Sequence, residues 1–511
     1  MKHKEVNSLL MLLAIAVLGT VACLSIFYAS PYVRTWDEVD FTLALERFDL
    51  LAMQPHFPGY PYFILGGWII NLWIHNGLKA LSIFNVLAVL SAVLPIFWLA
   101  RRLSGNGTMS LLLPALVLSS PYLWLMSSRP MSECAGMALL WWFLWSVRYA
   151  MERQDSLFRH GLSLMMLGFL MGTRLSFFPF AFALVPLWHS LWQGPRRWRR
   201  VGAAALVALL FQLLWVTGLV MSEGTLAGFW KLSLAFVEGH FSEWGGGVIS
   251  TPMPIWERIT QLFFKNLLGS ALTGGSTLIA VGFGLLAITA GAGRLLLGKE
   301  TQSRENHRFI YGLVGCAILY GLWALLGQNI EKPRHIVPLL APILLLLFVL
   351  TARLAERVEA AKQSVVRSMR AVLYSLLVGL IMIQTIYGSA LQKRQAVEEP
   401  AVYQLHDYVR QIREPFVLFT WEETRVLHYL KADYDHERIY TYAYFQALAD
   451  SNSGRRVLLT DHVVQGFIQQ GKPVEGHLKR IAEFTSEPLF DPAYHDIILY
   501  EWVSEKDRKS D

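Results

Sequence analysis

This sequence predicts a polytopic α-helical membrane protein that ends in a small α/β domain, and three observations carry the prediction. Of 511 residues, 54% are hydrophobic and only 16% charged, where a soluble chain carries about a quarter charged residues. Apolar runs of about 20 residues, enough to cross a bilayer as a helix, recur as far as Ala390. From Gln392 the composition turns to that of a soluble domain.

The spans can be placed in order. Lys2 and Lys4 precede an apolar run from Leu9 to Ala29; it is too long for a signal-peptide core and lacks a small-residue cleavage site, so it reads as a retained span. Spans are expected near Ser8 to Tyr28, Ala80 to Ala100, Thr108 to Met126, Glu133 to Tyr149, Gly161 to Thr173, Phe177 to Trp192, Val201 to Met221, Leu268 to Leu296, Phe309 to Gln328, His335 to Thr351 and Ala371 to Ala390, about eleven in all. One set of connections concentrates basic residues, among them Arg101, Arg102, Arg148, Arg196, Arg197, Arg199, Arg200, Lys299, Arg308, Arg353 and Lys362. The positive-inside rule puts that set and the N-terminus in the cytoplasm, and an odd span count puts everything after Ala390 outside a plasma membrane. The expected division is a transmembrane domain 1–391, with a first outer loop 29–79 and a large outer loop 222–267, followed by an extracytoplasmic domain 392–511.

Cys23, Cys134 and Cys316 all lie in apolar runs, which supports neither a disulfide framework nor a Cys-based metal site. The formal charge of +7 is dispersed at the ends of apolar segments. That pattern suits lipid headgroups and argues against nucleic acid as a partner. In the tail, helical periodicity in "PAVYQLHDYVRQIR" and "EETRVLHYLKA" alternates with the strand-like "PFVLFTW", "RIYTY", "RRVLLTD" and "DIILYEWV", an α/β pattern without a G-x-G-x-x-G or P-loop. A structural or acceptor-gripping role is expected of it.

The chemistry is expected in the loop after the first span. In "TWDEVDFTLALERFD", Thr35 and Glu38 form a capping box that starts a helix, and Phe41, Ala44, Leu45 and Phe48 recur at helical spacing, so one face should rest in lipid at the outer interface. Glu38 then has a capping role beside any catalytic one. Asp37 and Asp40 share a face at the membrane boundary. "QPHFPGYP" follows, in which Pro55, Pro58 and Pro61 exclude a regular helix, Gly59 permits an unusual turn, and His56 sits near the clustered acids.

An acidic pair after the first span, here "WDEVD", followed by a His-Pro-Pro-like segment, here "QPHFPGYP", resembles the GT-C membrane glycosyltransferases. The likeness is to the protein O-mannosyltransferase-like branch and its aminoarabinose-transferase-like bacterial relatives. Phe57 stands where the first proline of His-Pro-Pro is usual. "RPMSE" places Glu133 at the outer end of the fourth span, where these proteins often carry a second acid, and "KPRHIVPLLAP" resembles their segment opening a late span, with His335 where Tyr is common. The resemblance implies a GT-C-like fold, a polyprenyl-phosphate sugar donor and reaction at the extracytoplasmic face.

Chemically, an acceptor hydroxyl attacks a sugar carbon that develops oxocarbenium character, and a carboxylate can take the proton. Asp37 is the expected base, with Glu38, Asp40, His56 and Glu133 the other candidate catalytic groups. The departing lipid phosphate needs cations placed beforehand; Arg334, Lys332, His335 and the intramembrane Arg174 are the candidates. Glu238, His240 and Glu243 in "EGHFSEW" are candidates for a lid or acceptor surface. Asp37, Glu133 and His56 could serve a divalent metal ion, but no H-E-x-x-H or comparable spacing identifies a site, and no cofactor is assigned. Lipid, glycan and protein acceptors all stay open. A transporter or flippase would favour internal repeats and charge at mid-membrane; an inactive scaffold is the third reading.

Overall fold

The computed structural model describes residues 2–503 apart from 106, 108, 154–155, 195, 252, 298–302, 361–363 and 453. Thr108, Lys299 and Lys362, used above for a span and for the orientation, lie outside the described residues. The chain forms two units, Met1–Ser30 with Phe41–Gln395, and Pro31–Asp40 with Ala396–Asp511. The division therefore falls after Gln395 instead of 391, and Pro31–Asp40, expected with the first outer loop, goes with the second unit.

In the first unit, eight helices among the described residues are long and apolar enough to cross a membrane, nine if one bent pair counts as a span. In lipid a helix is favoured because it satisfies every backbone N–H and C=O internally. Pro333–Val358 is 72% buried and runs through the bundle's interior, whereas Arg197–Glu223 is 17% buried and leaves most of its surface to lipid. The fourth and fifth expected spans are the helices Ser132–Ala150 and Leu157–Thr173.

Three expected spans are broken. The stretch ending at Met126 splits around Ser119 and Ser120 into Met109–Leu118 and Pro121–Ser127, bent by 64°, because Pro121 has no N–H to continue the ladder. The Phe177 to Trp192 span opens as a 3₁₀ stretch, Leu175–Ala183, around Pro179 and becomes α-helical from Leu184. The Leu268 to Leu296 span is interrupted at Gly274 and Gly275, both at positive φ. A Cβ on Gly274 would lie 2.7 Å from the Pro121 Cβ, so the close approach needs glycine.

The segment 222–267, expected as a large outer loop, is mostly helical. Thr225 caps Leu226–Gly239 by accepting from the Gly228 N–H, and π-helical His240–Trp244, the helix Ile255–Thr260 and π-helical Gln261–Leu272 follow. Its irregular part is pinned by the buried Arg258, which donates to the carbonyls of Gly246 at 2.9 Å, Leu325 at 3.0 Å and Gln328 at 3.1 Å. The glycine run that suggested a loop covers only the turn.

The second unit contains a five-stranded sheet of strands β1 (Phe416–Thr420), β2 (His436–Arg438), β3 (Arg456–Thr460), β4 (Leu478–Thr485) and β5 (Asp496–Trp502), in the order β2-β1-β3-β5-β4. The pairings of β1 with β2 and β3 are parallel and those of β5 with β3 and β4 antiparallel, so β5 alone runs against the others. "RIYTY" contributes only its first residue to a strand, and β4, which alternates weakly, was not expected. Phe419, Phe445, Leu459 and Phe467 form the core on one face. At the carboxyl ends of β1 and β3, fully buried Glu423 meets His462: Nδ1 lies 2.5 Å from Oε1, and the Trp421 N–H donates to Oε2. Burial alone would lower the His462 pKa, but the Glu423 carboxylate outweighs it and holds the imidazolium at about 9. Burial alone would likewise raise Glu423, and the same contact holds it below the ordinary carboxylate range.

The pair's contribution to stability should be complete below the ordinary imidazole pKa of 6.5 and lost as pH rises through about 9. At the acid end it is lost as pH falls through the lowered Glu423 value. Glu423→Gln should destabilise this unit by about 3 kcal/mol and remove the alkaline dependence. Calorimetry of the full-length protein between pH 6 and 10 checks both outcomes, and an alkaline slope that survives in the variant refutes the assignment.

Candidate active site

Glu133 lies in the first turn of Ser132–Ala150, and that turn is fixed from another helix. Asn85, on Gly77–Ser91, donates its amide to the carbonyls of Arg129 and Met131, both at 2.7 Å, and accepts from the Ala135 N–H at 3.0 Å. The first N–H groups of a helix lack intrahelical partners, and Asn85 supplies one from outside. Glu133 is thereby presented in protein that leaves it 1% exposed.

Two guanidinium groups meet this carboxylate. Arg174 Nη2 is 2.8 Å from Oε1 and Arg334 Nε is 3.3 Å from the same oxygen. Arg174 Nη1 also donates to Ser132 Oγ at 2.8 Å. Both arginines stand at helix ends, Arg174 between Leu157–Thr173 and Leu175–Ala183, and Arg334 at the start of Pro333–Leu339. The Tyr320 hydroxyl steadies the second of these ends by donating to the His335 carbonyl at 2.7 Å. Tyr122 lies within electrostatic reach of Arg129, Arg334 and Glu133, and Tyr320 within reach of Arg174 and Glu133.

"QPHFPGYP" reaches the same cluster. The Arg174 guanidinium lies 5.6 Å from the Tyr60 ring centre, and His56 Nε2 is 2.9 Å from the Tyr60 hydroxyl. Gly59 makes the turn possible with φ 88°; a Cβ there would stand 2.6 Å from Leu219 Cδ2. The first unit thus brings together Glu133, Arg174, Arg334 and, through Tyr60, His56. Half-buried Lys332 precedes this turn, and His335 contributes its carbonyl to it.

The other acids belong to the second unit. Glu38 closes the expected capping box, accepting from the N–H groups of Arg34 at 2.5 Å and Thr35 at 3.3 Å while Thr35 Oγ1 accepts from its N–H at 3.4 Å. Asp40 is fully buried and accepts from Arg425 Nε and Nη2, both at 2.8 Å. It is therefore an interior ion-pair partner. Arg425 and Arg438 also lie over the Trp36 ring, 5.4 Å and 4.5 Å from its centre. Asp37 lies in the first turn of Trp36–Leu43.

The expected lipid-facing side of that helix is covered by protein instead. Val39 and Phe41 are fully buried, and the Phe41 ring packs on His56, Tyr60 and Phe63, aromatic cover that the segment 54–63 supplies. The helix stops at Leu43, so Ala44, Leu45 and Phe48 lie beyond it. Glu238 and Glu243 are exposed, and His240 donates from Nε2 to the Gly327 carbonyl at 2.8 Å. Among the described residues no three His, Cys, Asp or Glu side chains gather as ligands for one ion. Asn85, Ser132, Tyr60, Tyr122, Tyr320 and Arg425 were not anticipated; of these only Asn85, a polar amide inside an apolar run, carried a signal.

These features define a multi-pass membrane protein with broken helices around a buried ionic cluster, and its architecture is the GT-C fold. The chain is similar to the crystal structure of ArnT from Cupriavidus metallidurans bound to undecaprenyl phosphate, with TM-score 0.55 and 11% identity over 97% of this chain and 98% of the other. The apo state of the same protein matches with TM-score 0.53 and 10% identity over 98% of each chain. At this identity the likeness is one of fold. No protein-family model and no curated sequence matches the chain.

Glu133→Gln should lower stability by about 3 to 5 kcal/mol, because it removes one partner of a buried charge cluster while Arg174 and Arg334 stay in place. Thermal unfolding in detergent measures this, and an unchanged melting curve would mean that the cluster is solvated.

Proposed function

We propose that this protein is a glycosyltransferase that moves a hexosyl or pentosyl group from a polyprenyl-phosphate donor to an acceptor hydroxyl or phosphate at the extracytoplasmic face. The observation that carries the reading is the pair of arginines turned onto Glu133 from two helix ends, inside a fold shared with a protein crystallised with undecaprenyl phosphate.

The reaction forms a bond between acceptor oxygen and anomeric carbon and breaks the bond from that carbon to the phosphate oxygen, which leaves with the electron pair. Arg334 and Arg174 receive the phosphate, and Lys332, two positions before Arg334, is a further cation for it. Arginine suits this task, since its planar fork binds phosphate through two donors. Held in advance by Glu133, Ser132 and the helix start at Pro333, the guanidinium groups need little reorganisation as charge develops. Asp37 takes the acceptor proton. His56, fixed on Tyr60, is a further group for orienting the sugar.

Asp37→Asn should cut transfer from a labelled polyprenyl-phosphate sugar by about 10² to 10⁴-fold. A melting curve shared with wild type shows that the variant is folded, so that lost transfer reports on the base. Near-normal turnover of the variant refutes the base. Arg334→Gln should raise the apparent donor KM or lower turnover, and unchanged donor kinetics refute the phosphate clamp. The same assay with a chelator decides whether a divalent ion takes part, and labelling of a cysteine introduced beside Asp37 from either side tests the orientation. Complete absence of transfer from wild type, with flipping of the donor lipid instead, would favour a transporter.

A further inference from the structure

A second charged feature lies apart from the Glu133 cluster. Between the helices Leu184–Gln193 and Arg197–Glu223, both parts of membrane-length spans, the turn opens a cavity of about 660 Å³ lined by Trp192, Gln193, Arg196, Arg197, Trp198 and Arg199. Arg200 closes in behind it, its Nη1 only 3.0 Å from where a Cβ on Gly194 would stand. Arg308 brings another guanidinium by donating to Gln193 Oε1 at 3.3 Å. No Asp or Glu occurs between Asp155 and Glu223 in the sequence. Among the described residues no carboxylate forms an ion pair with Arg196, Arg197, Arg199 or Arg200.

We infer that this cavity binds the phosphate headgroup of an anionic glycerophospholipid. Several like charges crowded without a local counterion repel one another, and an anion relieves that repulsion. Basic pockets between membrane helices are suited to lipid headgroups. The surroundings select a lipid over a free anion. Trp192 and Trp198 pack edge to face at 4.4 Å, with Trp198 70% exposed, the amphipathic placement that suits a headgroup boundary. Below them Leu206, Leu209, Leu210 and Leu213 stand exposed on the least buried span, an apolar track for acyl chains.

The backbone adds a second argument. Arg196 is held at φ 55°, ψ 36°, the left-handed region that a branched-free but bulky side chain rarely occupies. Such outliers concentrate at ligand clamps and persist where the surrounding structure enforces them. Basic residues needed only to orient a span would require neither the strained turn nor the cavity.

Full-length protein, stripped of lipid in neutral detergent, can be titrated with phosphatidylglycerol or phosphatidylcholine and its bound lipid counted by native mass spectrometry. Wild type should retain phosphatidylglycerol about tenfold or more over phosphatidylcholine. The triple change Arg196→Gln, Arg197→Gln, Arg199→Gln should bring the two lipids to parity, while the corresponding Lys triple keeps a preference. A melting curve shared with wild type shows that the Gln triple is folded; if it is not, single Gln changes should each lower the preference. Equal retention by wild type, or a preference untouched by the Gln changes, overturns the site. Displacement of the lipid by millimolar inorganic phosphate overturns the lipid assignment in favour of a free anion. None of these outcomes depends on transferase activity.

Discussion

The ion cluster around Glu133 sets the terms for the rest of the membrane unit. A carboxylate and two guanidinium groups held away from water are unfavourable unless each meets opposite charge and hydrogen-bond partners in good geometry. The surrounding structure meets that requirement with backbone as much as with side chains. Asn85 anchors the turn that presents Glu133, and Arg174 and Arg334 emerge at helix ends. An unbroken helix would direct each arginine along one regular stripe. Helix ends free the side chains from that stripe, and irregular backbone is tolerable there because protein surrounds it.

The membrane architecture was largely legible because one property, apolar length, decides it. A run of about 20 apolar residues has few alternatives to a helix in lipid. The breaks were less legible, since Pro121, Pro179 and the Gly274–Gly275 pair act through the neighbour that each must approach as well as through local conformation. The segment 222–267 misled for the opposite reason. Its conspicuous glycines, Gly245 to Gly247, occupy one short turn, while the less conspicuous cap at Thr225 starts a helix of ordinary composition.

The site was legible in its charges and not in its neutral groups. Arg174 and Glu133 stand out because ionised residues are rare in apolar runs, but Tyr60, Tyr122 and Ser132 are common residues in common surroundings. The capping role of Glu38 is local and could be read from three-residue spacing. Asp40 could not, because its partner Arg425 is 385 positions away. A tail that alternates helix and strand shows its fold without showing which early segment it will recruit.

That recruitment bears on how the chemistry can be organised. Pro31–Asp40 is built into the second unit by the Asp40 ion pair, by Arg34 donating to the Glu398 carbonyl at 2.8 Å, and by Tyr403, whose hydroxyl accepts from the Val33 N–H. The backbone that carries Asp37 is therefore ordered by long-range contacts with the tail, beyond anything its own capping box supplies. A base gains from a fixed position, since misplacement of about 1 Å can cost about a hundredfold in rate. On the proposed mechanism the α/β unit acts as the mount for the proton acceptor. Within that proposal the tail bears on catalysis by fixing the segment Pro31–Asp40, even though its own strands carry no reacting group.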